Sequence, residues 1–201
     1  MAKRTKHSGS PEQLSFAGFG APRDAAYPVF FAMRPDAETV LRIWLFAEAL
    51  CRQYGLMGKL LARELLHVTL HYLGNGLSQS KIDEACTAAA SVVAPTFDIT
   101  FDRVANFGGG RGDRSVVLFG IDGVAALKEF RRTLGRGLLK AGIKPQSEKG
   151  FTPHMTILHD RHGVEEHIIE PLTWTAHEFC LVRSLVGQGK HQIVARWPLN
   201  A

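Results

Sequence analysis

LLHVTLHYLG at residues 65–74 and FTPHMTILHD at residues 151–160 each hold the same word, His-apolar-Thr-apolar: "HVTL" at 67–70 and "HMTI" at 154–157. Both read as strands. Side chains alternate along a strand, so His67, Thr69 and His71 are expected on one face and Val68, Leu70 and Tyr72 on the other. By the same rule His154 and Thr156 face one way, Met155 and Ile157 the other. Each word then buries its apolar residues and presents an imidazole and a hydroxyl roughly 7 Å apart. One such word is an ordinary strand sequence, with a surface histidine and a β-branched threonine. Two of them, each preceded by a helical pattern, point to two halves of one site.

The flanking sequence places both words in similar settings. PVFFAM (28–33) is a short apolar run, read as a buried strand. From Asp36 the spacing becomes helical, with Val40, Ile43, Trp44, Ala47 and Leu50 on one stripe, Asp36 as N-cap and Gly55 just past the end. The first word follows, closed by Gly-Asn-Gly. Residues 78–94 form a second helix opened by Ser78, and 97–107 alternate as a half-buried strand. GGGRGD (108–113) is a turn into the returning strand 114–121. Residues 124–142 form a third helix, apolar at Leu127, Phe130, Leu134, Leu138 and Leu139. The strand 150–158 carries the second word, and 175–186 with 191–199 make a last hairpin around Gly-Gln-Gly-Lys. The expected class is α+β, bilobal, with interleaved strands in two pseudo-symmetric lobes around a central cleft.

Composition sets the bounds. The chain has 201 residues, 45% hydrophobic and 21% charged, as in an ordinary globular protein. No apolar run approaches the roughly 18–20 residues that span a bilayer. Three cysteines, Cys51, Cys86 and Cys180, lack CxxC spacing and read as free thiols in a reducing, cytoplasmic compartment. Residues 1–27 are rich in Gly, Ser, Pro and Ala. They carry four Lys/Arg against two Asp/Glu, so they read as a flexible basic tail ahead of a single domain, 28–201. The net charge of +5 favours an anionic partner, though this tail supplies +2 of it.

Two imidazoles beside two hydroxyls suit phosphodiester cleavage without metal. In-line displacement at phosphorus needs one group to take a proton from the attacking oxygen and another, opposite, to give one to the leaving oxygen. Histidine serves both because its unperturbed pKa lies near 6.5. Threonine hydroxyls donate to the non-bridging oxygens, whose charge changes in the transition state.

HVTLHYLG followed by FTPHMTIL resembles the paired signature of the two-histidine (2H) phosphoesterases. More narrowly it is similar to the LigT-like branch of 2′-5′ RNA ligases and RNA 2′,3′-cyclic phosphodiesterases. The likeness extends over about residues 28–199. It includes the helix before the first word, FGGGRGDRSVVLFGI, the Phe-x-Pro-His lead-in and FCLVRSLVGQGKHQIVARWPL. It implies a bilobal α+β fold with a cleft, His67 as proton donor, His154 as acceptor, and Thr69 and Thr156 holding the phosphate. It also implies release of the 3′ oxygen, leaving a 2′-phosphate. Two positions depart from the branch: the aromatic after the first word is Tyr72, and an arginine common after the second is replaced by His159, with Arg161 nearby.

The remaining readings are weaker in kind. Tyr72 and Phe151 are candidates to stack a nucleobase, with core packing as the alternative. Arg111, Arg114, Lys149 and Arg161 are candidate phosphate contacts on the cleft rim. GGGRGD lacks the Gly-Lys-Ser/Thr ending of a phosphate-binding loop. No Cys/His cluster or HExxH is present, so no metal and no cofactor is expected. The expected partner is RNA or a nucleotide 2′,3′-cyclic phosphate, with no membrane, and the chain is expected to be a monomer. Two alternatives stand beside hydrolysis of cyclic ends: a 2′-5′ oligonucleotide phosphodiesterase or reversible 2′-5′ ligase, and a catalytically idle RNA-binding module.

Overall fold

The computed structural model describes residues 27–108, 114–144 and 150–200. The basic tail short of Tyr27, the centre of the Gly-rich turn with Arg111, and Lys149 lie outside the described residues. The elements run in the order β1 (Pro28–Met33), α1 (Ala37–Tyr54), β2 (Lys59–Leu60), β3 (Val68–Asn75), α2 (Gln79–Ala90), β4 (Phe97–Phe107), β5 (Arg114–Phe119), α3 (Ala125–Lys140), β6 (His154–Asp160), β7 (His167–Ala176), β8 (Glu178–Leu185) and β9 (Lys190–Pro198). A 3₁₀ turn at Arg63–Leu65 precedes β3. Two sheets result, β3-β1-β8-β9 and β2-β6-β5-β4-β7, and the strands pair antiparallel throughout. The first and last strands of the chain thus share a sheet, and the middle forms the other. This is the expected α+β fold with interleaved strands.

The helices begin where the caps predict. Asp36 accepts from the backbone N–H of Thr39 at 2.8 Å and from its hydroxyl at 2.9 Å. That backbone bond above all holds the Asp36 carboxyl below the usual carboxylate range. Gly55 ends α1 at φ 62°, a left-handed conformation that glycine adopts freely. Ser78 caps α2 through Lys81 N–H. That helix stops at Ala90 rather than 94, where the Ser91 hydroxyl turns back to the Ala88 carbonyl at 2.7 Å.

One large core joins the helices to the outer faces of both sheets, with Phe31, Val68 and Leu70 from one sheet and Phe101, Met155 and Ile157 from the other. Each of these side chains gives about 1.5–3 kcal/mol on burial. The opposite faces carry smaller clusters: Phe30, Ala32, Cys180 and Val182 on the first sheet, Ala105, Val117 and Phe119 on the second. These floor the two halves of the site.

Strict alternation fails at one point in each word. Thr69 pairs with Ala32 and His71 with Phe31, so Leu70 is an extra residue. Thr156 pairs with Val117 and Leu158 with Val116, so Ile157 is extra in the same way. A β-bulge therefore follows each threonine and sends two successive residues into the core. His71 does not share a face with His67 and Thr69: it is buried at 0% exposure, opposite Phe31. Tyr72, expected on the face of Val68 and Leu70, instead emerges opposite Phe30 on the site face, 37% exposed.

The β7 strand is not predicted by the sequence pattern. It is the edge of its sheet and contains Pro171, which falls where its pairing with β4 skips between Leu172 and Ile168. An edge and an irregularity are the places where a strand tolerates proline.

Candidate active site

Each word presents its histidine through the same local device. The Nδ1 of His67 lies 2.6 Å from the carbonyl of Leu65, and that of His154 lies 2.8 Å from the carbonyl of Thr152. A carbonyl can only accept, so both Nδ1 atoms carry hydrogen and both Nε2 atoms are left for proton transfer. His67 Nε2 meets the hydroxyl of Thr69 at 3.1 Å. Aromatic rings steady both imidazoles: Phe30 stacks on His67 at 5.0 Å between centroids, and Phe107 lies 4.9 Å from His154.

Burial lowers the pKa of His67 from its ordinary value, with Arg34 and His154 adding to the effect and the Leu65 bond opposing it. The second word's histidine is therefore near enough for its charge to reach His67. A third imidazole, His191 of β9, sits edge-on to His67 at 5.0 Å and close to Phe30. Burial, then His67 and Arg34, push its pKa down to about 4, so it is neutral at pH 7.

The substrate-binding candidates fall in different places. Tyr72 lies on the site face, its hydroxyl donating to Asn75 at 2.6 Å. His159 occupies the matching place after the second bulge, opposite Ser115, and its Nδ1 lies 3.3 Å from the Ser115 hydroxyl. Phe151 is half-buried with the guanidinium of Arg131 over its ring at 3.9 Å. Arg161 is exposed, in the bend after β6. Arg114 is exposed at the start of β5. Sequence reasoning missed Phe30, Phe107, Arg34 and His191. Only the strand registers bring them to the two words, and spacing along the chain carries no signal of that.

A family model described as the 2′-5′ RNA ligase superfamily matches residues 40–188. The chain belongs to this superfamily of 2H phosphoesterases. Its fold superposes on that of Escherichia coli LigT in apo form with a TM-score of 0.69 at 25% identity, over 88% of this chain and 99% of LigT. LigT has also been solved in complex with 3′-AMP, and that structure gives a TM-score of 0.68 at 25% identity over 87% and 99% of the two chains. The Thermus thermophilus protein TT0787 gives 0.67 at 20% identity over 87% and 98%, a likeness of fold. No curated protein matches the sequence. Among the described residues, no helix is long and apolar enough to cross a membrane.

Proposed function

We propose that the chain hydrolyses 2′,3′-cyclic phosphate ends of RNA or nucleotides to 2′-phosphates, with no metal. The observation that carries this reading is the paired tethering of the two imidazoles, Nδ1 to the carbonyl two residues back. It fixes the tautomer and leaves the Nε2 of each word's histidine for proton transfer, which supports this reading. His154 Nε2 takes a proton from water as the oxygen attacks phosphorus. The P–O3′ bond breaks, and His67 Nε2 delivers its proton to the departing 3′ oxygen. Thr69 and Thr156 donate to the non-bridging oxygens.

His67 is neutral in the free enzyme at pH 7, because burial disfavours its charged form. A phosphodiester anion beside it favours that form, so substrate and proton arrive together. The second reading, cleavage or joining of 2′-5′ linkages, uses the same four groups on an open diester.

The test incubates the protein in chelator with nucleoside 2′,3′-cyclic phosphates and a short RNA ending in one. The expected product is the 2′-phosphate alone. A pure 3′-phosphate means reversed binding of the ribose. Failure on both substrates with cleavage of 2′-5′ dinucleotides establishes the second reading instead, and RNA binding without turnover of any of them establishes the idle module. Activity that chelation abolishes and zinc restores rejects the metal-free mechanism.

A further inference from the structure

The floor of the first sheet continues past His67. Met33 pairs with Val68, so the next residue, Arg34, stands in the cross-strand place beside His67. The second sheet has Phe119 in the matching place, paired with His154. One site wall therefore carries a cation where the other carries a ring. Arg34 donates from Nη2 to the Glu64 carbonyl at 2.8 Å, which steadies it against the turn leading into the first word. Its charge reaches His67, His191 and Cys180.

Beyond Arg34 opens a cavity of about 540 Å³. It is of the size that holds a small ligand. Pro35, Ala37, Val40 and Pro198 give it apolar walls, and Arg196 stands on the β9 side. Of the carboxylates around it, Glu178 is paired with Arg196 and Asp36 caps α1. Glu64 is exposed at the rim. Apolar walls suit a base and ribose, and a guanidinium at the mouth suits the phosphate that precedes them. Arg34 stands between His67 and this cavity. That is where the linkage between a terminal nucleotide and its neighbour must pass if the terminal phosphate lies on the histidines.

We infer that this cavity is a subsite for the nucleotide next to the reacting one, with Arg34 holding the phosphodiester between them. The inference rests on the phosphodiesterase reading above and deepens it: the substrate is an RNA chain, not a mononucleotide.

The experiment compares kcat/KM for a nucleoside 2′,3′-cyclic phosphate and a dinucleotide ending in one. The wild type should favour the dinucleotide by about tenfold or more, mostly through KM, the scale of one charge-assisted phosphate contact. Arg34→Met should bring the ratio close to one, and Arg34→Lys should keep part of the preference. Equal use of both substrates by the wild type overturns the subsite, as does an Arg34→Met protein that loses both activities by one factor. Calorimetric binding of a dinucleotide 3′-phosphate against a mononucleotide 3′-phosphate separates this from the hydrolysis reading. A binding preference that Arg34→Met removes supports the subsite even where neither cyclic substrate turns over. Turnover with no binding preference rejects the subsite alone.

Discussion

With its Nδ1–H held by Leu65, His67 can take up a second proton only on Nε2, the one the proposed mechanism delivers, and burial with help from Arg34 and His154 disfavours it in the free protein. An acid must be protonated to act, so its contribution is complete below its pKa and lost as pH rises through it. The alkaline limb of kcat/KM, which reports the free enzyme, should therefore fall below the ordinary histidine value of about 6.5. The limb of kcat, which reports the complex with a bound anion, should lie higher. Following the imidazole resonances by NMR during titration assigns the limb. If the His67 resonance instead tracks the acidic limb, the two histidines exchange roles. Alanine at either position should lower turnover by about 10²–10⁴-fold. The double variant should be little worse, since both protons move in one displacement. A near-wild-type rate in either single variant would reject the pair as the machinery.

At the scale of elements, the words themselves were legible and the bulges were not. An extra residue on one strand shows only in the pairing, and pairing depends on β1 and β5, which lie elsewhere in the chain. The consequence falls on His71 and Tyr72, whose faces the bulge at Leu70 exchanges. What anchors that bulge is a charged residue inside α3. Arg131 is 1% exposed and donates through Nε to the Leu70 carbonyl at 2.8 Å, while His71 Nε2 donates to the carbonyl of Arg131 at 2.9 Å. The helical stripe of α3 was legible at Leu127, Phe130, Leu134 and Leu138, all buried. Leu139, expected on it, is exposed, and Arg131 takes buried space that the pattern assigns to apolar residues. The same guanidinium lies on Phe151, just ahead of the second word, so one side chain ties the bulge of the first to the approach of the second. Arg131→Met keeps much of the volume and strands the Leu70 carbonyl. It should cost about 1–3 kcal/mol, read as a lower urea midpoint. An unchanged midpoint would show that the bulge holds without the clasp.

Across the whole molecule the chain order and the spatial order disagree. The helix α1 leads toward the first word yet packs on β6 and β7 of the other sheet, and α2 reaches β9. The partner of each strand lies too far along the chain for local pattern to name, which is why the sequence read as two lobes without yielding β3-β1-β8-β9 as an order. Since one core cluster includes Phe31 from the first sheet and Phe101 from the second, neither sheet can open without exposing the buried surface of the other.

Two tryptophans can test this sheet by sheet. Trp174 lies in β7, its ring 5.3 Å from that of Phe101. Trp197 lies in β9, stacked on Phe179 at 5.1 Å and near Phe31 at 5.9 Å. Proteins that keep only one of them, with Trp44 and the other changed to Phe, report on one sheet each. Far-UV circular dichroism gives the loss of both sheets and the helices together. If residues 28–201 form a single cooperative domain, fluorescence and dichroism in each protein should give coincident urea transitions with one midpoint. Two midpoints, with the Trp174 and Trp197 signals lost at different urea concentrations, would mean that the lobes unfold separately. The helices crossing between the sheets would then be too weak to couple them. Coincidence is the expected result, because α3 packs on β3 of the first sheet and on β4 of the second, so neither sheet can leave without uncovering it.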